Sequence, residues 1–172
     1  GPDGADLPLR LAGEPADAAA PTTRLLELCD RVQSVTFEGI PGAPVPSLLR
    51  GFSAPVKLDI AYRDEELMFL LAHDSDGFNR WDAGQRLAQR VILQRLPTAP
   101  LPGGAQSAAG PTDATLTGFV HALRGALRDP ALEPALRAEI LGLPGEGFLG
   151  DQLPVVDVDG IHGARVAVVE AI

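Results

Sequence analysis

Apolar residues recur with two different periods along this chain, and the period changes near residues 62–64. Before that point apolar and polar side chains alternate in short runs. Leu7, Leu9 and Leu11 alternate with Pro8 and Arg10, and Val56, Leu58 and Ile60 alternate with Lys57, Asp59 and Ala61. Residues 23–29 and 33–38 make two more runs around an Asp30-Arg31 turn, with Val35 and Phe37 on one face. A period of two puts alternate side chains on one face of a strand, so these runs predict short strands and the 23–38 pair predicts a hairpin. Pro55 suits a strand start, where a missing N–H costs least. Residues 13–21 and 40–46 are dense in Ala, Pro and Gly and read as connections. About five short strands result, against about seven in a complete immunoglobulin-like sandwich, so a partial sandwich is expected.

After residue 62 the apolar spacing is helical. Asp64, Glu65 and Glu66 supply the negative charge favoured in a helix's first turn, and Leu67, Met68, Leu70 and Leu71 follow on one face. Asp74 or Asp76 is positioned to cap a second helix carrying Phe78, Trp81, Leu87, Ala88, Val91 and Ile92. Trp81, at this spacing, is expected in the core, filling a helix interface. Residues 97–112 are rich in Pro, Gly and Ala and predict a flexible loop. A third helix is expected from Asp113, with Leu116, Phe119, Val120, Leu123 and Leu127 on one stripe, ending at Asp129-Pro130. Pro134 fits the first turn of a fourth, and Gly142 its end. A last helix near Asp157 carries Ile161, Ala164, Val168 and Ile172. The reading is α+β in two parts: a partial β-sandwich at 1–62, then antiparallel helices of a superhelical, HEAT-like array at 63–172.

Composition narrows the function classes. With 172 residues and 45% hydrophobic side chains the chain is able to bury a core. A net charge of -9, from 14 basic against 23 acidic residues, supplies no basic face for phosphates, so no nucleic-acid partner is expected. No apolar run approaches the roughly 20 residues of a membrane-spanning helix, so no membrane partner is expected either. Cys29 is the only cysteine and is expected to be a packed thiol, compatible with a cytoplasmic location. Met68 is the only methionine and the chain opens on Gly1-Pro2-Asp3-Gly4, so an excised segment of a longer protein is expected.

Candidate chemistry is sparse. His73, His121 and His162 lack the H-E-x-x-H spacing that sets two zinc ligands and a general base on one helix face. His73 is expected at a helix end, His121 opposite the Leu123 stripe, and His162 beside Asp157 and Asp159. The run 145–150 has the glycine pattern of a dinucleotide loop, yet it follows a helix and Pro144 instead of a strand. Asp74-Ser75-Asp76-Gly77 and Asp157-Val158-Asp159-Gly160 open like calcium loops but lack the closing glutamate, and read as turns with helix caps. No catalytic, cofactor-binding or metal-binding residue is expected in this chain.

The stretch from Pro46 to Ala88, with 23–37, Asp129 to Leu132 and Ala138 to Pro144, resembles the bacterial aminopeptidase N family, zinc enzymes of the gluzincin class. The resemblance is to the end of the family's β-sandwich domain and the start of its C-terminal helical domain. Gly51 stands where an acidic residue is expected in the family, and 145–150 is expected to be less helical than the family's pattern. The resemblance implies a parent hydrolase that removes N-terminal amino acids from peptides with zinc-activated water. The zinc ligands and substrate-amine motif of that family have no counterpart here, so the segment is expected to be inactive and structural. Its implied partners are the catalytic and N-terminal domains of the parent chain, with peptides as the parent's substrates. Self-association through an exposed strand edge is also expected. The alternative is a stand-alone protein-interaction module without enzymatic activity.

Overall fold

A computed structural model describes residues 1–96 and 113–172. The predicted flexible loop at 97–112 lies outside the described residues. The change of period is a change of structure: an extended N-terminal region passes into a helical region with six α-helices among the described residues.

These are α1 (Asp64–His73), α2 (Gly77–Leu93), α3 (Asp113–Arg128), α4 (Pro134–Leu141), α5 (Glu146–Gly150) and α6 (Val158–Ala171). At the start of α1 the Glu66 side chain accepts the Arg63 N–H at 2.8 Å, satisfying a donor that the helix itself leaves free. Asp76 caps α2 by accepting the Asn79 N–H at 3.0 Å, and Asp157 caps α6 by accepting that of Gly160 at 2.9 Å. Both aspartates thus terminate turns, as their sequence context predicts.

Helix α2 is the axis of the helical body, packing against α1, α3, α4 and α6. Its residues Ala83, Leu87, Ala88, Val91 and Ile92 are buried, the i, i+4 and i+3 stripe expected of a helix with one covered face. Gly84 lets α1 approach closely, since a Cβ there would lie 3.2 Å from Leu71 Cδ1. Phe119 and Leu123 from α3, Leu149 from α5 and Ile161 from α6 complete the core. Trp81 is half-buried at its edge rather than inside it.

The N-terminal region is organised differently. Strand β1 (Arg10–Leu11) pairs antiparallel with β2 (Phe37–Glu38), matching Arg10 to Glu38 and Leu11 to Phe37. The predicted hairpin does not form. Gln33 is the reason: its side chain accepts the Cys29 N–H at 3.1 Å and donates to the Glu27 carbonyl at 3.0 Å, occupying groups a ladder would use. Residues 36–38 pair with residues 10–12 across the region instead of across the turn. Cys29, expected to be packed, is exposed.

The alternation holds from residue 57 to 62, with Val56 exposed, but its partner is not a sheet. Leu58 and Ile60 are half-buried and Tyr62 buried, while Lys57, Asp59 and Ala61 face out. This extended segment lies against the helices, with Ile60 packed on the core. The 145–150 run, expected to be less helical, contains the short helix α5.

Candidate functional site

The densest polar constellation lies where the N-terminal region meets the turn between α1 and α2. Ser75 Oγ donates to Asp6 Oδ2 at 2.6 Å, Arg50 Nη1 reaches the same oxygen at 3.3 Å, and Arg50 Nη2 donates to Ser75 Oγ. Gly51 N–H donates to Asp76 Oδ2 at 2.9 Å, so the α2 cap also holds the extended chain. Asn79 Nδ2 donates to the Leu48 carbonyl at 2.8 Å and to Ser47 Oγ at 2.9 Å. One carboxylate, one hydroxyl and one amide from residues 75–79 therefore clasp residues 47–51, with the Asp6 carboxylate beside them.

The clasp imposes an unusual backbone. Leu49, Gly51 and Phe52 have φ of 56°, 61° and 55°, in the left-handed region that only glycine enters freely. Each non-glycine residue there costs on the order of 1 kcal/mol, which the surrounding contacts must outweigh. Phe52 is held by its ring against Phe78, centroids 4.6 Å apart, and Phe78 stacks in turn near Trp81 at 5.5 Å. Glycine at position 51, where an acidic residue is expected by family resemblance, suits this conformation.

Two further ties flank the clasp. Tyr62 Oη donates to the Pro46 carbonyl at 2.6 Å, and Arg90 Nη1 donates to the Tyr62 carbonyl at 2.7 Å and to Asp64 Oδ1 at 2.8 Å. Burial pushes the Tyr62 phenol up to about 12, so it remains a donor at neutral pH. Arg80, buried in α2, donates to the Leu71 and Ala72 carbonyls at 2.8 and 2.6 Å and to Asp129 Oδ2 at 2.7 Å. It thereby satisfies the last carbonyls of α1 and anchors them to the segment after α3. The Arg80 guanidinium also holds the Asp129 carboxyl below its ordinary value.

Asp74 stands at the centre of the joint. It is buried, with 7% of its surface exposed, and its Oδ1 accepts the Asp76 N–H at 2.9 Å. Oδ2 is buried with no hydrogen-bond partner. Burial raises the Asp74 carboxyl above its ordinary value; the Asp76 N–H, the nearby Ser47 hydroxyl and Arg50 only partly offset it. Ser47 and Arg50 are close enough to bias the ionisation, yet neither completes a bond to Oδ2. A cavity of about 170 Å³ opens beside it, between residues 47–58 and the first two helices.

The three histidines are not brought together. His73 ends α1, exposed, its ring 4.9 Å from Phe69. His121 is exposed on α3, as its spacing predicts. His162 pairs through Nδ1 with Glu146 at 2.8 Å, across α5 and α6, and not with Asp157 or Asp159. No group of three His, Cys, Asp or Glu among the described residues has a geometry to hold a metal, so these residues do not fit a zinc ion. No described helix is long and apolar enough to cross a membrane. The clasp was missed in the sequence because its partners are up to 69 positions apart; the Asp and Asn residues of the 74–79 turn were its one local signal.

Comparison with known proteins gives two family matches. Residues 3–61 match the domain of unknown function DUF3458, described as an Ig-like fold, and residues 64–172 match DUF3458_C, described as ARM repeats. The chain is 40% identical over 139 residues to aminopeptidase N of Caulobacter vibrioides, covering 80% of this chain and 15% of that protein. It is 32% identical over 165 residues to aminopeptidase N of Escherichia coli, covering 96% of this chain and 17% of that protein. The crystal structure of Legionella pneumophila aminopeptidase A in complex with aspartic acid is similar at a TM-score of 0.56 and 26% identity, over 77% of this chain and 14% of that one. The chain thus spans 15–17% of the length of these two curated relatives.

Proposed function

The chain belongs to the DUF3458_C family of ARM-repeat domains, joined to an Ig-like DUF3458 domain and homologous to part of aminopeptidase N, and on that footing we propose that it is a non-catalytic bracing segment of a zinc-dependent aminopeptidase. The observation that carries this reading is the clasp. It spends its polar groups on each other: Asp6, Arg50, Ser75, Asp76 and Asn79 are all engaged in fixing one part of the chain to the other. A constellation so consumed orients domains; it offers no nucleophile, general base or metal ligand set. The parent removes N-terminal amino acids from peptides, and zinc-activated water supplies that chemistry from residues outside this segment. None of the residues in this segment is assigned a catalytic, cofactor-binding or metal role.

In this reading, residues 1–62 form the end of the sandwich and residues 63–172 the start of the helical domain, with a flexible 97–112 loop. Their partners are the catalytic and N-terminal domains of the parent, which works in the cytoplasm on peptides. Exposed Leu25, Leu28 and Val32 also support self-association through the N-terminal region when those domains are absent. The test is to offer the purified segment an alanine-based chromogenic substrate with zinc, beside the full-length protein. Turnover by the full-length protein and none by the segment is expected. Turnover by the segment alone overturns the bracing role, and none by the full-length protein overturns the peptidase.

A further inference from the structure

We infer that the apolar patch at the clasp, formed by Leu48, Phe52, Val56 and Phe78 around one recess, docks a folded domain of the parent chain that presents an uncharged, apolar side chain to it. The inference rests on the reading of this chain as a bracing segment and names the surface that does the bracing. These four side chains are 39%, 72%, 59% and 44% exposed. They are contiguous: the Phe52 ring lies 4.6 Å from that of Phe78, and Leu48, Val56 and Phe78 share a recess of about 170 Å³ with buried Leu67 and Leu70. An apolar cavity of roughly 150 Å³ holds one benzene, so the recess takes a single side chain the size of leucine or phenylalanine.

Phe52 is the clearest sign of a further neighbour. It stands at φ 55° and is 72% exposed, so burial within this chain does little to offset its strained backbone. Strain of this kind persists where surrounding contacts hold it, and aromatic side chains are enriched in the cores of interfaces. The charged groups at the rim do not call for a charged partner. Asp82 holds Arg86 Nε at 2.8 Å, Asp6 and Ser75 hold Arg50, and Asp74 Oδ2 has essentially no accessible surface. Size selects a tethered domain over a second copy. A stable dimer of separate chains covers about 20–30 residues a side, whereas domains joined in one chain meet at an effective concentration on the order of millimolar, where a few apolar contacts suffice. The chain spans 15–17% of the length of its aminopeptidase N relatives, so a parent of that size has further domains to supply the contact.

The experiment is hydroxyl-radical footprinting of the 172-residue chain and of the full-length protein, read by mass spectrometry at Phe52 and Phe78. Passage of Phe52 from 72% exposure to an interface core is expected to lower its labelling in the full-length protein by about fivefold or more, with Phe78 following. Phe52→Glu in the full-length protein is expected to return Phe78 to the labelling it shows in the same variant of the 172-residue chain. The wild-type comparison needs no substitution, so it decides the matter if that variant fails to fold. Equal labelling of Phe52 in the two proteins, protection of Phe52 that grows in the 172-residue chain as its concentration rises, or a Phe78 that stays protected in Phe52→Glu would overturn the proposal. Protection without peptide turnover by the full-length protein supports docking and overturns only the peptidase; turnover without protection overturns only the docking.

Discussion

Residues after 62 bury their apolar side chains among themselves, while the region before them leaves Leu25, Leu28 and Val32 at 77%, 73% and 85% exposure. The buried hydrophobic core begins at Tyr62 and draws on all helices from α1 to α6. Both regions are apolar enough to fold; they differ in where backbone hydrogen bonds are found. A helix finds partners for its N–H and C=O groups within four residues of its own chain. A strand depends on another strand, and the N-terminal region holds only a two-residue pair. A few side-chain ties within the region, such as Arg24 to Glu14 at 2.8 Å, and the clasp to the turn between α1 and α2 supply the rest of its fixity.

The largest expected effect is in the helical core. Phe119→Ala, at 2% exposure, should cost about 3–5 kcal/mol by urea denaturation followed by circular dichroism. A loss under 1 kcal/mol would show that α3 is not part of the core. Arg80→Ala follows, because it strips donors from the Leu71 and Ala72 carbonyls at once. About 2–4 kcal/mol is expected, with Arg80→Lys recovering part of it, and full recovery by lysine would make the forked geometry irrelevant.

The pH dependence separates the two sides of the joint. Burial raises the Asp74 carboxyl, so the folded state holds that proton more tightly than the unfolded chain. The stability Asp74 contributes is therefore full below the ordinary aspartate value and is lost as pH rises through the raised one. Asp74→Asn should gain stability over the parent as pH rises from about 3 to 7, seen as a widening gap in melting temperature. Asp129, held below its ordinary value by the Arg80 hydrogen bond, has the opposite sign: its contribution is present at neutral pH and is lost on acidification. Asp129→Asn should accordingly be most harmful at neutral pH and nearly silent in acid. The smallest effect is expected at Leu25→Ala, within about 0.5 kcal/mol, since the side chain touches little. A loss above 2 kcal/mol there would mean that the N-terminal region packs more tightly than its exposure indicates.

The helices were legible because their signals are local. Asp76 and Asp157 read as caps and cap α2 and α6; the acidic run at 64–66 opens α1; Pro134 starts α4. Trp81 and Cys29 were not legible, because depth depends on what covers a residue, and here Trp81 lies at the edge of the core and Cys29 in an exposed turn. The clasp was invisible for the same reason, since no spacing links Asp6 to Ser75.

By itself the sequence determined the period switch near residue 62, where α1 to α4 and α6 start and the lack of a zinc signature, each written within a few neighbouring positions. Tertiary structure decided which strands pair, that the 57–62 alternation lies on helices instead of a sheet, and that Asp74 is buried beside a cavity. Helical hydrogen bonds close within one turn of chain, whereas strand partners, burial and an unmatched carboxylate depend on residues brought together from tens of positions apart.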